Sequence, residues 1–194
     1  MSYTYRHLPH WVPEHAPVFV TWRLANSLPL LPDSHWNNSS SFVASLSSHD
    51  DPLDQPRTGP LWLQDPCIAA IVANALIHAE SARRLYTLHA WVVMPNHVHA
   101  IFTPLTQLST IMQYLKSRTA RAANRLLHRT GQPFWQDESF DHWIRNTDEL
   151  HALIAYVESN PVKAHLAPSI TQYPFSSASS SGTGHRLPWP VAPR

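Results

Sequence analysis

Hydrophobic and polar positions change period several times along the chain, and each change predicts an element. Val18-Phe19-Val20-Thr21-Trp22-Arg23-Leu24 is β-branched and aromatic, bounded by Pro17 and Asn26-Ser27, and predicts a first strand. Asp65 followed by Pro66 is a helix start. Ile68, Ile71, Val72, Ala75, Leu76 and Ala79 then recur at three- and four-residue spacing, predicting a helix to about Arg83. Leu85 to Met94 and Val98 to Thr103 read as two apolar strands joined by a tight Pro95-Asn96 turn. A second helix is predicted from Thr106 to about His128, with Leu108, Ile111, Met112, Leu115, Ala122 and Leu126 along one stripe. Gly131 and Pro133 break it, and Phe140 to Ile144 predicts a short strand. Asn146 supplies a cap and Asp148 and Glu149 an acidic first turn for a third helix to about Ser159. Pro161 disfavours helical backbone at the residue before it, so Asn160 is expected at or just beyond the last turn.

The order strand, helix, strand, strand, helix, strand is that of an α+β, ferredoxin-like split βαβ sandwich, an antiparallel sheet with helices on one face. An unrelated α+β fold with the same order is the alternative. The Ser-, Asn- and Pro-rich stretch at about 29–60, where only a fragment such as Phe42-Val43-Ala44 could pack, is expected to be a long loop or mobile insertion. The tail after Pro174, with its serine cluster, is expected to be poorly ordered. A single domain over residues 1–178 and a disordered tail over 179–194 follow.

Composition narrows the function classes. The 194 residues, 43% hydrophobic, suffice for one core. A formal net charge of +1 excludes a globally basic nucleic-acid binder, so any such affinity must come from local patches. The single cysteine, Cys67, excludes an internal disulfide. No run approaches the ~20 apolar residues of a membrane span, and Met1 to His10 lack the apolar core of a secretory signal. A soluble intracellular protein without a membrane partner is expected.

Two groups of residues carry candidate chemistry. His97 and His99 stand at the start of the strand after the Pro95-Asn96 turn and project to one face, a two-imidazole pincer for a divalent ion. Taken alone, the pair also reads as polar decoration on a strand. Tyr156 and Asn160, four apart, share a helical face insofar as the helix reaches Asn160. A helix on the histidine face would bring a phenol and an amide oxygen to the metal, which is a coherent centre for cutting a phosphodiester. Two imidazoles and an amide leave coordination positions free, suiting Mg²⁺ or Mn²⁺ better than a closed zinc site. Of the rival tyrosines, Tyr114 also sits on a helix, two residues before Lys116. On the second helix Arg118, Arg121, Arg125 and Arg129 fall three, four and four apart, either a solvated face or a track for a nucleic-acid backbone.

Longer words make a resemblance explicit. They are Phe19-Val20-Thr21-Trp22-Arg23-Leu24 followed by Ser27-Leu28-Pro29; Gly59-Pro60-Leu61-Trp62-Leu63; Ala90 through His99; Leu115-Lys116-Ser117; Phe134-Trp135-Gln136; Phe140-Asp141-His142-Trp143; and Tyr156 through Ala164. Across roughly residues 6–178 the chain resembles the REP-associated tyrosine transposases, within the single-tyrosine, His-hydrophobic-His transposase family. The resemblance implies a ferredoxin-like fold, His97 and His99 as metal-binding pair, Asn160 as the third, helix-borne ligand and Tyr156 as nucleophile. It also implies Mg²⁺ or Mn²⁺, single-stranded DNA with hairpin-forming palindromes as partner, a 5′-phosphotyrosine intermediate and a bacterial, nucleoid-associated location. Lys116 and the four arginines are the DNA-contact candidates. Phe140 departs from the tyrosine of many relatives, and His165 stands where glycine is expected after Ala164. Three functions remain open: a metal-dependent single-strand DNA transesterase, a catalytically silent hairpin-DNA-binding protein, and a metal-dependent hydrolase that uses water. The oligomeric state, monomer or homodimer, stays open too.

Overall fold

The computed structural model describes residues 16–27 and 59–179; the expectations for most of the 29–60 stretch and for the tail from 180 onward lie outside them. Four strands, β1 (Val18–Arg23), β2 (Tyr86–Val93), β3 (His97–Pro104) and β4 (Phe140–Trp143), form one sheet in the order β2-β3-β1-β4. Every pairing is antiparallel. Three helices join it: α1 (Pro66–Ser81), α2 (Leu108–Leu126) and α3 (Thr147–Lys163). With α1 leading from β1 to β2 and α2 from β3 to β4, this is the ferredoxin-like split βαβ.

The pleat sorts side chains into two cores. Val18, Val20 and Trp22 of β1, with Val98, Ala100 and Phe102 of β3, face α1 and α2. Phe19 and Ile101, with Ala90, Val92 and Met94, face the other way, against Leu153, Tyr156 and Val157 of α3. The expectation of helices on one face therefore holds for α1 and α2 and is corrected for α3. The reason is visible in the strands themselves: their central residues are apolar at consecutive positions, so both faces of the sheet need a cover.

Local features set the register. A β-bulge between Leu88 and Ala90 lets Leu88 and Trp91, three apart, join the same core. Gly59, at φ 108, lies so close to the Asn26–Ser27 turn that a Cβ would come within 2.7 Å of the Asn26 carbonyl oxygen, so residues 27 and 59 lie side by side. Contrary to the expected disorder after Pro174, residues 175–177 run along the β2 edge. Val93 donates to Phe175 O at 2.9 Å, Ser177 donates to Trp91 O at 2.9 Å, and the Tyr173 hydroxyl donates to Val93 O at 2.7 Å.

Two helix ends differ from the spacing-based boundaries. The second helix stops at Leu126, because His128 turns left-handed (φ 54) while Arg129 N–H reaches back to Asn124 O at 2.8 Å. Arg129 thus lies past the helix and off its stripe. The third helix runs through Pro161 to Lys163, which puts Asn160 inside it. Its closure has the same form: His165 at φ 55, with Leu166 N–H donating to Pro161 O at 2.8 Å. A left-handed residue here explains why glycine is the expected occupant.

Candidate metal and nucleophile centre

His97 and His99 are both fully buried, and their Nε2 atoms lie 3.0 Å apart. Their outer nitrogens are held from behind. His97 Nδ1 is 2.7 Å from Asn96 Oδ1, and His99 Nδ1 is 2.7 Å from Thr21 Oγ1 on β1. With the amide in this orientation its oxygen only accepts, so His97 Nδ1 carries the hydrogen and Nε2 offers a lone pair. The Thr21 hydroxyl works either way. When it donates to His99 Nδ1, the His99 Nε2–H bonds to His97; when it accepts, both Nε2 lone pairs converge.

Helix α3 lays the phenol and the amide on this face. Tyr156 is 3% exposed and sits edge-on to His99, ring centroids 5.9 Å apart, and to Phe19 at 6.4 Å. The ammonium of Lys163, two turns on, lies 4.5 Å from the centre of the phenol ring. Asn160, one turn from Tyr156, is buried, yet its Nδ2 has no hydrogen-bond partner. An unsatisfied buried amide costs about 1–3 kcal/mol and marks a group kept for something other than stability. Two convergent imidazoles and a spare amide, whose oxygen and nitrogen exchange places by a ring-free flip, fit a divalent ion with open positions. Among the described residues, no group of three or more His, Cys, Asp or Glu could hold a metal.

The remaining candidates separate. Tyr114 packs against the α1/α2 core, on the face of the sheet opposite the histidines, so it cannot share their centre. Arg121 and Arg125 are exposed along α2. Arg118 lies 5.9 Å from the Tyr114 ring centre, and Arg129 stacks over Trp62 at 4.1 Å. Lys116 is engaged elsewhere: its Nζ donates to the carbonyls of Gln136, Asp137 and Glu138 at 3.0, 3.0 and 3.1 Å. Desolvation pulls its pKa down to about 8, against the upward pull of Asp137 and Glu138. Phe140 packs edge-on to Phe19 on the histidine face. Thr21 and the Asn96 side chain, which fix the imidazoles, were not among the sequence candidates. Asn96 is signalled by its place before His97, whereas Thr21 becomes visible only through the β1–β3 register, Thr21 opposite His99.

Residues 69–160 match the family described as IS200-like transposases, a span that runs from α1 through both histidines to Tyr156 and Asn160. A REP-associated tyrosine transposase of Escherichia coli K12 is 32% identical over 108 residues, 55% of this chain and 62% of that relative, so the match spans less than two thirds of the relative's length. A solved structure of a REP-associated tyrosine transposase bound to a REP hairpin shares the fold at a TM-score of 0.54 and 21% identity, over 91% of this chain and 82% of the other.

Proposed function

From a chain that is a relative of the REP-associated tyrosine transposases, with an IS200-like transposase match over residues 69–160, we propose a metal-dependent single-strand DNA transesterase acting at hairpin-forming palindromes. The observation that carries the reading is the meeting of Tyr156 with the His97–His99 pair, on a helix that also carries the unpartnered Asn160. Bound by His97, His99 and Asn160, Mg²⁺ or Mn²⁺ would supply Lewis-acid polarisation of a phosphoryl oxygen. The Tyr156 oxygen forms a bond to phosphorus as the bond from phosphorus to the 3′ oxygen breaks. The phenol proton passes to water and the departing 3′ oxygen takes one from water, leaving a 3′-hydroxyl and a 5′-phosphotyrosine. The ammonium of Lys163 over the ring favours negative charge developing on the phenol. Because the phosphodiester bond energy stays in the covalent link, a free 3′-hydroxyl reverses the step without ATP. The bacterial cytoplasm, on nucleoid DNA, is the corresponding place of action.

The test is the covalent adduct, formed with single-stranded oligonucleotides that carry hairpin-forming palindromes, with Mn²⁺ present. We expect wild type and Tyr114→Phe to form it and Tyr156→Phe to bind DNA without forming it. Peptide mass spectrometry that finds the nucleotide on a Tyr114 peptide, or an adduct surviving in Tyr156→Phe, overturns the assignment. Hairpin binding by a wild type that never forms an adduct would favour the silent binder, and metal-dependent cleavage without an adduct the hydrolase.

A further inference from the structure

Strand β1 brings a cation to the histidine face. Arg23 stands directly opposite His97 in the β1–β3 register, two residues from Thr21, which bonds His99. Cross-strand partners project to the same face with Cβ atoms about 4.5–5.5 Å apart. The Arg23 guanidinium is held rather than waving in solvent: its Nε donates to Gln136 Oε1, while Gln136 N–H donates to the Arg23 carbonyl at 2.9 Å. The segment carrying Gln136 is in turn tied down by the three carbonyl bonds of Lys116. Among the described residues no carboxylate pairs with Arg23. Arg23 is half-buried, where a cation without a carboxylate among the described residues is costly to desolvate. With Nε occupied, the guanidinium keeps its two terminal nitrogens, the edge that binds phosphate oxygens as a fork.

We infer that Arg23 is a phosphate clamp: its terminal nitrogens hold the non-bridging oxygens of the phosphodiester beside His97 and His99, with Gln136 and Lys116 as positioning residues behind it. This rests on the transesterase reading for the identity of the phosphate. It gives Lys116, counted among the DNA-contact candidates by sequence, a different task, since its three hydrogens already point at carbonyls. A metal held by His97, His99 and Asn160 would supply positive charge from β3 and α3, and Arg23 adds its own from the β1 side, where charge develops on the non-bridging oxygens.

Titration calorimetry with inorganic phosphate as the probe, in saturating Mg²⁺, tests the clamp, with Mn²⁺ binding measured separately in the absence of phosphate. Arg23→Gln should lose about 10–100-fold in phosphate affinity and keep its Mn²⁺ affinity. Arg23→Lys, a point charge without the fork, should lose less, and Gln136→Leu should weaken phosphate with Arg23 intact. Wild-type phosphate affinity in Arg23→Gln, absence of phosphate binding in the wild type, or parallel loss of phosphate and Mn²⁺ would overturn the clamp. If Arg23→Gln does not fold, Arg23→Lys and Gln136→Leu carry the same decision: phosphate affinity unchanged in both overturns it. Adduct formation is scored independently. An adduct with Arg23-independent phosphate binding sinks the clamp alone, whereas Arg23-dependent phosphate binding without any adduct leaves the clamp and sinks the transesterase.

Discussion

At the scale of single residues, the proposed metal centre depends on which nitrogen of each imidazole carries its hydrogen. Thr21 holds the outer nitrogen of His99 across 2.7 Å, and Asn96 plays that part for His97. Replacing Thr21 by valine keeps the shape and removes the partner. We expect Mn²⁺ affinity to fall about 10–100-fold with the fold unchanged, read by calorimetry and circular dichroism; equal affinity in the two proteins would detach Thr21 from the metal. The histidine pair and the Tyr156–Asn160 spacing were legible in the sequence, because both follow from local periodicity. Thr21 and Arg23 were legible as strand residues only. Their roles come from pairing β1 with β3, across 78 residues for Thr21 and His99, which no local pattern encodes.

At the scale of elements, the sequence located the three α-helices and four strands of the described region but not the 3-10 turns at Trp62–Gln64 and Ile170–Gln172, and its other errors lie at ends and layers. Pro161 read as a stop, yet a proline in the last turn sacrifices one hydrogen bond while helix α3 stays packed by Leu153, Tyr156 and Val157 on the sheet. The arginine stripe read as continuous, yet the left-handed turn at His128 ends α2 before Arg129. Arg121 and Arg125 therefore become the pair to test as a backbone track. Changing both to glutamine should weaken hairpin binding for all sequences alike and reduce the salt slope by ~0.7 per lost single-strand contact. An unchanged slope would return them to a solvated face.

At the scale of the molecule, the two cores and their buried titratable groups set a pH profile. His89 and His142 have pKa values lowered mainly by desolvation, so the unfolded chain takes up protons first and stability falls as pH drops below about 6.5. Lys116, lowered to about 8 from 10.5, makes stability rise between those values, by something on the order of 1–3 kcal/mol. Tyr86 and Tyr173, both raised by burial, act oppositely: their contribution is complete below pH 10 and is lost above it as the unfolded phenols ionise. Urea unfolding across pH 5–11 should thus show a maximum between about pH 8 and 10, with the climb above pH 8 flattened in Lys116→Met. A wild-type maximum near pH 6 would contradict these signs. The two-sided sheet also bears on how the chain comes off the ribosome. Strand β1 emerges early but lies between β3 and β4, and the helix bearing Tyr156 follows all four strands. A chain released before residue 156 carries the histidine pair without the tyrosine, so the two halves of the proposed centre meet only after α3 has been made.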